Sequence, residues 1–132
     1  MSDDLTAARI VRAVIDAIND GDVDGFLSRT DDDFEWRALE RSPLAGTYRG
    51  QAEVRAYVEE WFNTFGDVRL EIEELVEVND HVLAVVRGSG WGKASGVEVT
   101  NRFCQLWTVS GGVPTRMREY ATREEALAAA EA

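Results

Sequence analysis

Residues Val97 to Ala121, VEVTNRFCQLWTVSGGVPTRMREYA, constrain the fold more than any other stretch. They read as two long strands joined at Ser110-Gly111-Gly112. Taking every second residue, one face carries Val97, Val99, Asn101, Phe103, Gln105, Trp107 and Val109, then Val113, Thr115, Met117, Glu119 and Ala121. A face bearing Phe, Trp and Met belongs inside. An amide or carboxylate on that face must be paired or must look into a cavity, because an unpartnered buried polar group costs several kcal/mol. The hairpin therefore reads as one wall of a ligand pocket. If Val109 pairs with Val113, Gln105 faces Met117, and Phe103 faces Glu119. Glu119 then becomes a diagonal neighbour of Asn101 and Gln105. A one-residue slip would turn all three polar groups to the other face.

The preceding chain alternates between helical and strand periods. Leu5 to Asn19 reads as a helix with Ile10, Val14, Ala17 and Ile18 on one stripe, started by Ser2, Asp3 and Asp4 and stopped by Asn19-Asp20-Gly21. Asp22 to Arg29 is a short second helix. Asp33 to Leu39 is a strand with Phe34, Trp36 and Ala38 on one side. Glu40 to Arg49, with Pro43 and Gly46, reads as a loop. Gly50 opens a third helix ending near Gly66, with Val54, Tyr57, Val58, Trp61, Phe62 and Phe65 at helical spacing. From Val68 the period becomes two. It slips at Glu73-Glu74, where a bulge is expected to return Val76 and Val78 to the inner face. Asn79-Asp80 is a turn, and Val82 to Gly92 is the next strand. In that strand Gly88, Gly90 and Gly92 share the inward face, which allows sheet bending or leaves volume beside the pocket. Thr122 and Glu125 form a capping box before a last helix through Leu127. Helices followed by four long strands give an α+β domain spanning residues 1–132, a half-open cone of strongly bent antiparallel sheet packed on N-terminal helices.

Composition excludes several classes of function. The 132 residues include 25 acids and 14 bases, for a net charge of −11. Such a surface repels nucleic acid and anionic membranes. No run reaches the roughly 18 apolar residues of a membrane span. The acidic start MSDDLTAARI lacks a signal pattern, so a cytoplasmic location is expected. One cysteine and one histidine leave no transition-metal site, and no bound cofactor is expected. Cys104 reads as a buried structural thiol, and His81, after Asp80, as a solvated turn histidine.

Glu119 is the candidate catalytic residue, since an apolar cavity raises a carboxyl pKa toward the range useful for proton transfer; the competing reading is that it pairs with an internal arginine or amide and only holds the sheet together. Trp36, Tyr57, Trp61, Asn101, Phe103, Gln105, Trp107 and Met117 are the candidate ligand-binding residues. For each aromatic among them, simple core packing is the competing reading. Arg37, Arg102, Arg116 and Arg118 fall on the opposite faces. The outer sheet face carries Leu83, Val85, Trp91, Cys104 and Leu106, an apolar surface whose simplest cover is a second copy of the chain.

The segment LAGTYRGQAEVRAYV, the strand FCQLWTV and the ending RMREYATREEALAA resemble the nuclear transport factor 2-like superfamily, and within it the SnoaL-like polyketide cyclase group, related to ketosteroid isomerase. The resemblance implies a half-open cone with a deep pocket, commonly dimeric. The catalytic positions of ketosteroid isomerase fall on Val14, about Ala38 and Gln105, so that mechanism is not implied. The histidine pair of scytalone dehydratase is absent, since only His81 exists. The acid that SnoaL-type cyclases carry on the last strand falls at or beside Glu119. The implied activities are cofactor-free cyclisation, isomerisation or dehydration of a small hydrophobic carbonyl compound. The alternatives are a noncatalytic domain for a hydrophobic metabolite and a dimeric interaction module with a vestigial pocket.

Overall fold

The computed structural model describes residues 6–40 and 44–131. The expected helix start at Ser2 to Leu5 and the loop residue Pro43 lie outside the described residues. Three helices precede the long strands: α1 (Ala7–Asn19), α2 (Val23–Ser28) and α3 (Gly50–Thr64). Thr6 caps α1 by accepting from the Arg9 amide at 3.2 Å. Val11, Val14, Ile15 and Ile18 form its buried stripe. The Asn19 side chain, in the last turn of the helix, docks it on the sheet, accepting from the Leu70 amide at 2.7 Å and donating to the Leu70 carbonyl at 2.9 Å. At the start of α3, Gly50 takes φ +84°, where a side chain would be strained. Glu53 accepts from the Arg49 amide at 2.9 Å, satisfying one donor at that helix start.

Six strands, β1 (Glu35–Arg37), β2 (Thr47–Arg49), β3 (Phe65–Val78), β4 (His81–Gly92), β5 (Glu98–Ser110) and β6 (Val113–Tyr120), form one curved, unclosed sheet in the order β2-β1-β6-β5-β4-β3. The fold is the expected α+β half-open cone, with two differences. The β1–β6 pairing is parallel, so the sheet is mixed. The expected loop over residues 40–49 contributes β2, which pairs with β1. Three residues are too few to display a period-two pattern, so this strand leaves no signal in the sequence.

Beyond the bulge the hairpin keeps the expected parity but not the expected register, while next to the turn Val113 pairs with Ser110 and so leaves the inner face, where Pro114 takes its place opposite Val109. Gln105 faces Glu119, and Trp107 faces Met117, a shift of two residues. Gly111 and Gly112 both take positive φ, +60° and +80°, and make the two-residue turn. Ser110 faces Val113 and Val109 faces Pro114, but Thr108 faces Arg116, which leaves Thr115 unpaired as a bulge. Pro114 has no amide to give the ladder. Its carbonyl instead accepts from the Asp31 amide at 3.0 Å.

The bulge expected at Glu73-Glu74 exists, since the β3–β4 register shifts between Ile72 and Glu74. Its consequence is the reverse of the expected one. Leu75 goes inward opposite Ala84, while Val76 and Val78 go to the outer face. The reason is the last helix, α4 (Arg123–Glu131), which packs on that face. Thr122 and Glu125 make the capping box, with bonds of 3.1 and 3.2 Å. Arg123 holds Glu74 through two bonds of 2.9 and 2.8 Å, and Asn79 donates to the Ala130 carbonyl at 3.1 Å.

This helix corrects the reading of the outer face as a bare apolar surface. Leu83, Cys104 and Leu106 are buried against Ala126 and Ala130 of the same chain. Val85 is half-buried, and Trp91 remains exposed with its indole donating to Asp67 at 3.2 Å. A second copy is therefore not needed to cover Leu83, Cys104 and Leu106. His81 also differs from a solvated turn residue, being half-buried with Nδ1 3.1 Å from the Thr108 hydroxyl. Because Cys104 is the only cysteine, it reports on α4 docking. Ala126→Arg should lift the helix and raise the rate of thiol labelling by at least about tenfold through local opening. An unchanged labelling rate would show that α4 does not shield this face.

Candidate functional site

A cavity of about 560 Å³ lies between the inner sheet face and α1 and α3. That volume is in the usual range for small-molecule sites. Its walls are mainly apolar, and aromatic rings form a continuous series leading into it. Phe34 stacks on Trp107 at 5.9 Å and meets Phe26 at 6.1 Å. Phe26 meets Trp36 at 6.0 Å, and Trp36 meets Tyr57 at 5.2 Å. Tyr57 meets Trp61 at 6.3 Å, and Trp61 stacks on Phe65 at 4.8 Å. The series runs from the packed end of the cone to the cavity. On the sheet side Gly88 and Gly90 line the space. A Cβ on Gly88 would lie 3.1 Å from the Phe103 ring, and one on Gly90 would lie 3.2 Å from the Gly66 carbonyl. These glycines allow close approach of neighbouring groups as well as leaving room.

Glu119 sits on β6 with its carboxylate turned to this wall. Oε1 accepts from the Leu39 amide at 2.8 Å, and Oε2 accepts from the Trp36 indole at 3.3 Å. Loss of solvent is the dominant influence and pushes the carboxyl up to about 7, against the pull of these two donors. The residue stays half-buried because it lines the cavity. Its other side borders a second cleft of about 590 Å³ shared with Arg37, Thr47, Tyr120 and Glu125. Directly across the ladder, Gln105 is fully buried. Its Oε1 accepts from the Trp107 indole at 3.0 Å, while its Nε2 is shielded and has no partner. Trp107 can only donate, which fixes the amide orientation and leaves Nε2 as an unspent donor just behind the cavity wall, which a ligand reaches only if the neighbouring side chains give way. Tyr57 is 4% exposed, and burial first, then the Glu119 charge, raise its phenol above the ordinary value. It therefore stays protonated.

Trp36, Tyr57, Trp61, Phe103, Gln105 and Glu119 all line the cavity, and Asn101 lines it as an exposed residue. Asn101 is not brought to Glu119. The register shift sets Glu119 opposite Gln105, and Asn101 lies four residues further along β5, roughly 13 Å away along the strand. Trp107 and Met117 are fully buried and do not line the cavity. They belong to the packed end, where Trp107 orients Gln105 and Met117 sits beside Trp36. The residue missed from sequence is Leu39, whose backbone amide holds Glu119. A main-chain donor carries no signal in a side-chain pattern. Val68 and Leu70, with Phe62 from the aromatic helix stripe, complete the apolar wall. Among the described residues, no group of three or more His, Cys, Asp or Glu is placed to hold a metal ion.

No curated protein matches the chain significantly. Among solved structures, an NTF2-like protein from Burkholderia xenovorans LB400 shares 29% identity with a TM-score of 0.71, covering 92% of this chain and 92% of the other. A ketosteroid isomerase-like fold from Catenulispora acidiphila, solved with trimethylamine, has a TM-score of 0.78 at 17% identity, covering 96% and 95%. TerC, co-crystallised with polyporic acid, has a TM-score of 0.74 at 24% identity, covering 93% and 96%. The SnoaL-like domain model matches residues 11–117, from the first turns of α1 to Met117 at the centre of β6. With that match over most of its length and with this cone, the chain belongs to the SnoaL-like domain family, within the nuclear transport factor 2-like fold.

Proposed function

We propose that the cavity binds a flat hydrophobic molecule bearing a carbonyl or hydroxyl oxygen, and that Glu119 transfers a proton to or from it without a bound cofactor. The observation that carries this reading is the Gln105–Glu119 pair. One side chain offers an unspent N–H, and directly opposite is a carboxyl whose pKa lies near neutrality. A ligand oxygen between them would accept from Gln105 Nε2 while Glu119 takes a proton from, or gives one to, a neighbouring atom. As an electron pair moves onto that oxygen, the amide donor stabilises the developing charge. The protonated Tyr57 phenol supplies a second donor in the same wall. This chemistry suits cyclisation, isomerisation or dehydration. The aromatic series would stack on a planar ring system.

A second reading is noncatalytic binding of a hydrophobic metabolite. The cavity volume and its apolar lining favour it equally, and only turnover separates the two. TerC suggests polyporic acid as a first probe for both. Thermal stabilisation by the probe, lost in Trp36→Ala and retained in Glu119→Gln, is the outcome expected for a ligand held by the aromatic wall. An enzyme should in addition lose turnover by about 10²-fold or more in Glu119→Gln, with ligand binding kept. Full activity in that variant would remove Glu119 from the mechanism.

Gln105 gives a sharper prediction. Gln105→Leu deletes the donor and also leaves the Trp107 indole unpaired, at a cost of about 1–3 kcal/mol in stability. Gln105→Met keeps the side-chain length, leaves Trp107 only a weak sulfur acceptor and loses the donor. Both should weaken binding of the carbonyl ligand, whereas binding of an apolar analogue without the oxygen should be nearly unchanged in Gln105→Met. Equal losses for both ligands in Gln105→Met would show that the amide only supports packing.

The raised Glu119 pKa also sets a stability profile. The folded chain holds this proton more tightly than the unfolded chain, whose carboxyl titrates near 4.5, so the folded state binds more protons between 4.5 and about 7. Stability is therefore lost as pH rises through that window, by at most about 3 kcal/mol from this group. In urea unfolding from pH 5 to 8, the wild-type curve should fall relative to that of Glu119→Gln, which lacks this contribution. Parallel curves would mean that the carboxyl titrates as an ordinary surface acid.

A further inference from the structure

The parallel pairing of β1 with β6 has a consequence on the face away from the cavity. It sets Arg37 beside Arg118 and Glu35 beside Arg116, with all four side chains on the outer face. The patch continues across the sheet, since Arg116 faces Thr108 and Thr108 faces His81. Arg37 and Arg118 lie over the Tyr120 ring at 5.2 and 6.0 Å. All three arginines are half-buried, and the Nε atoms of Arg116 and Arg118 are shielded without a hydrogen-bond partner. Five other arginines of the described residues, at positions 49, 55, 87, 102 and 123, each hold a carboxylate. Among the described residues these three hold none, in a chain that carries 25 acids. Glu35, the carboxylate that the register sets on the patch, is engaged by Arg49 at 2.9 Å, and Arg37 also borders the cleft that holds Glu40, Glu119 and Glu125 without an ion pair to any of them among the described residues. Three adjacent cations set into the surface repel one another and lose solvent. Burial, then Arg116 and Arg37, push the Arg118 guanidinium below its ordinary value, opposed by Tyr120 and Glu35.

We propose that Arg37, Arg116 and Arg118 form a second binding site, separate from the cavity, for a small multivalent oxyanion such as a phosphate- or polycarboxylate-bearing metabolite. Guanidinium forks suit phosphate and carboxylate oxygens, and a multivalent anion neutralises more than one of them at once. A net charge of −11 disfavours a long polyanion far more than a small one, because the repulsion grows with the partner's charge. The recessed position of the arginines also fits a compact group better than a flat protein surface.

His81 provides a specific probe, being the only histidine in the chain. Burial first, then Arg118 and Arg116, hold its imidazole below the usual value, while Asp80 and the Trp107 backbone oppose them. An anion on the patch would cancel part of the arginine field. The test is a proton NMR titration of the His81 ring with inorganic phosphate and, separately, citrate, against sodium chloride at matched ionic strength. The expected result is a saturable His81 shift with a midpoint at about 1 mM or below. That midpoint should weaken by about tenfold or more in Arg118→Gln and in Arg37→Gln, but not in Arg55→Gln, which lies outside the patch. Preference for phosphate or for citrate identifies the kind of oxyanion. A His81 response no larger than with chloride, or a midpoint unmoved in both patch variants, overturns the proposal. So does a His81 response to protein concentration alone, with a doubled mass that Arg118→Gln abolishes, since the face would then belong to a second copy.

Discussion

The structure is organised around a carboxylate that the sheet brings inside. Glu119 could not lie in an apolar wall without donors, and two fixed ones hold it, the Leu39 amide and the Trp36 indole. Both come from β1 and the residues just after it. The parallel β1–β6 pairing therefore does more than extend the sheet, because it carries the donors to the acid. The antiparallel β5–β6 pairing delivers Gln105 from the other side. Solvent loss outweighs the two donors and leaves the carboxyl titrating near neutrality.

Parity was readable in the sequence because a strand alternates with period two and because Phe103, Trp107 and Met117 leave little doubt about which face is buried. Register was not readable. It depends on two separate steps, a two-residue turn that sets Ser110 opposite Val113 and the loss of Thr115 from the ladder, and neither Thr115 nor Pro114 announces which residue will be skipped. That slip of two moved Glu119 away from Asn101 and placed it opposite Gln105, which sharpened the site while keeping its residues on one face. Val76 and Val78 show the complementary case. Their hydrophobicity was plain, but the face they take is decided by α4, an alanine-rich helix whose docking partner lies more than forty residues earlier in the chain. Main-chain donors such as the Leu39 amide are invisible to any side-chain pattern.

Trp107 and Met117 mark the border between core and cavity. Their parity places them with Gln105 and Glu119, yet they pack against Phe34 and beside Trp36 at the filled end of the cone. The same alternation thus runs from solid core into open space along one strand. Where it crosses, Trp107 occupies the acceptor of Gln105 and leaves the donor free. The outer face follows a related division. Its apolar half is covered by α4, and its cationic corner is left with charges that have no partner within the described residues.

The central claim is that Glu119 is desolvated at the cavity wall, opposite an amide donor. Carbon-13 NMR of the glutamate side-chain carboxyls, with the Glu119 signal assigned by its absence in Glu119→Gln, measures this most directly. A titration midpoint at about 7 is the result this account requires. A midpoint near the ordinary carboxyl value of 4.5 would place Glu119 in solvent and leave the fold without the proposed site.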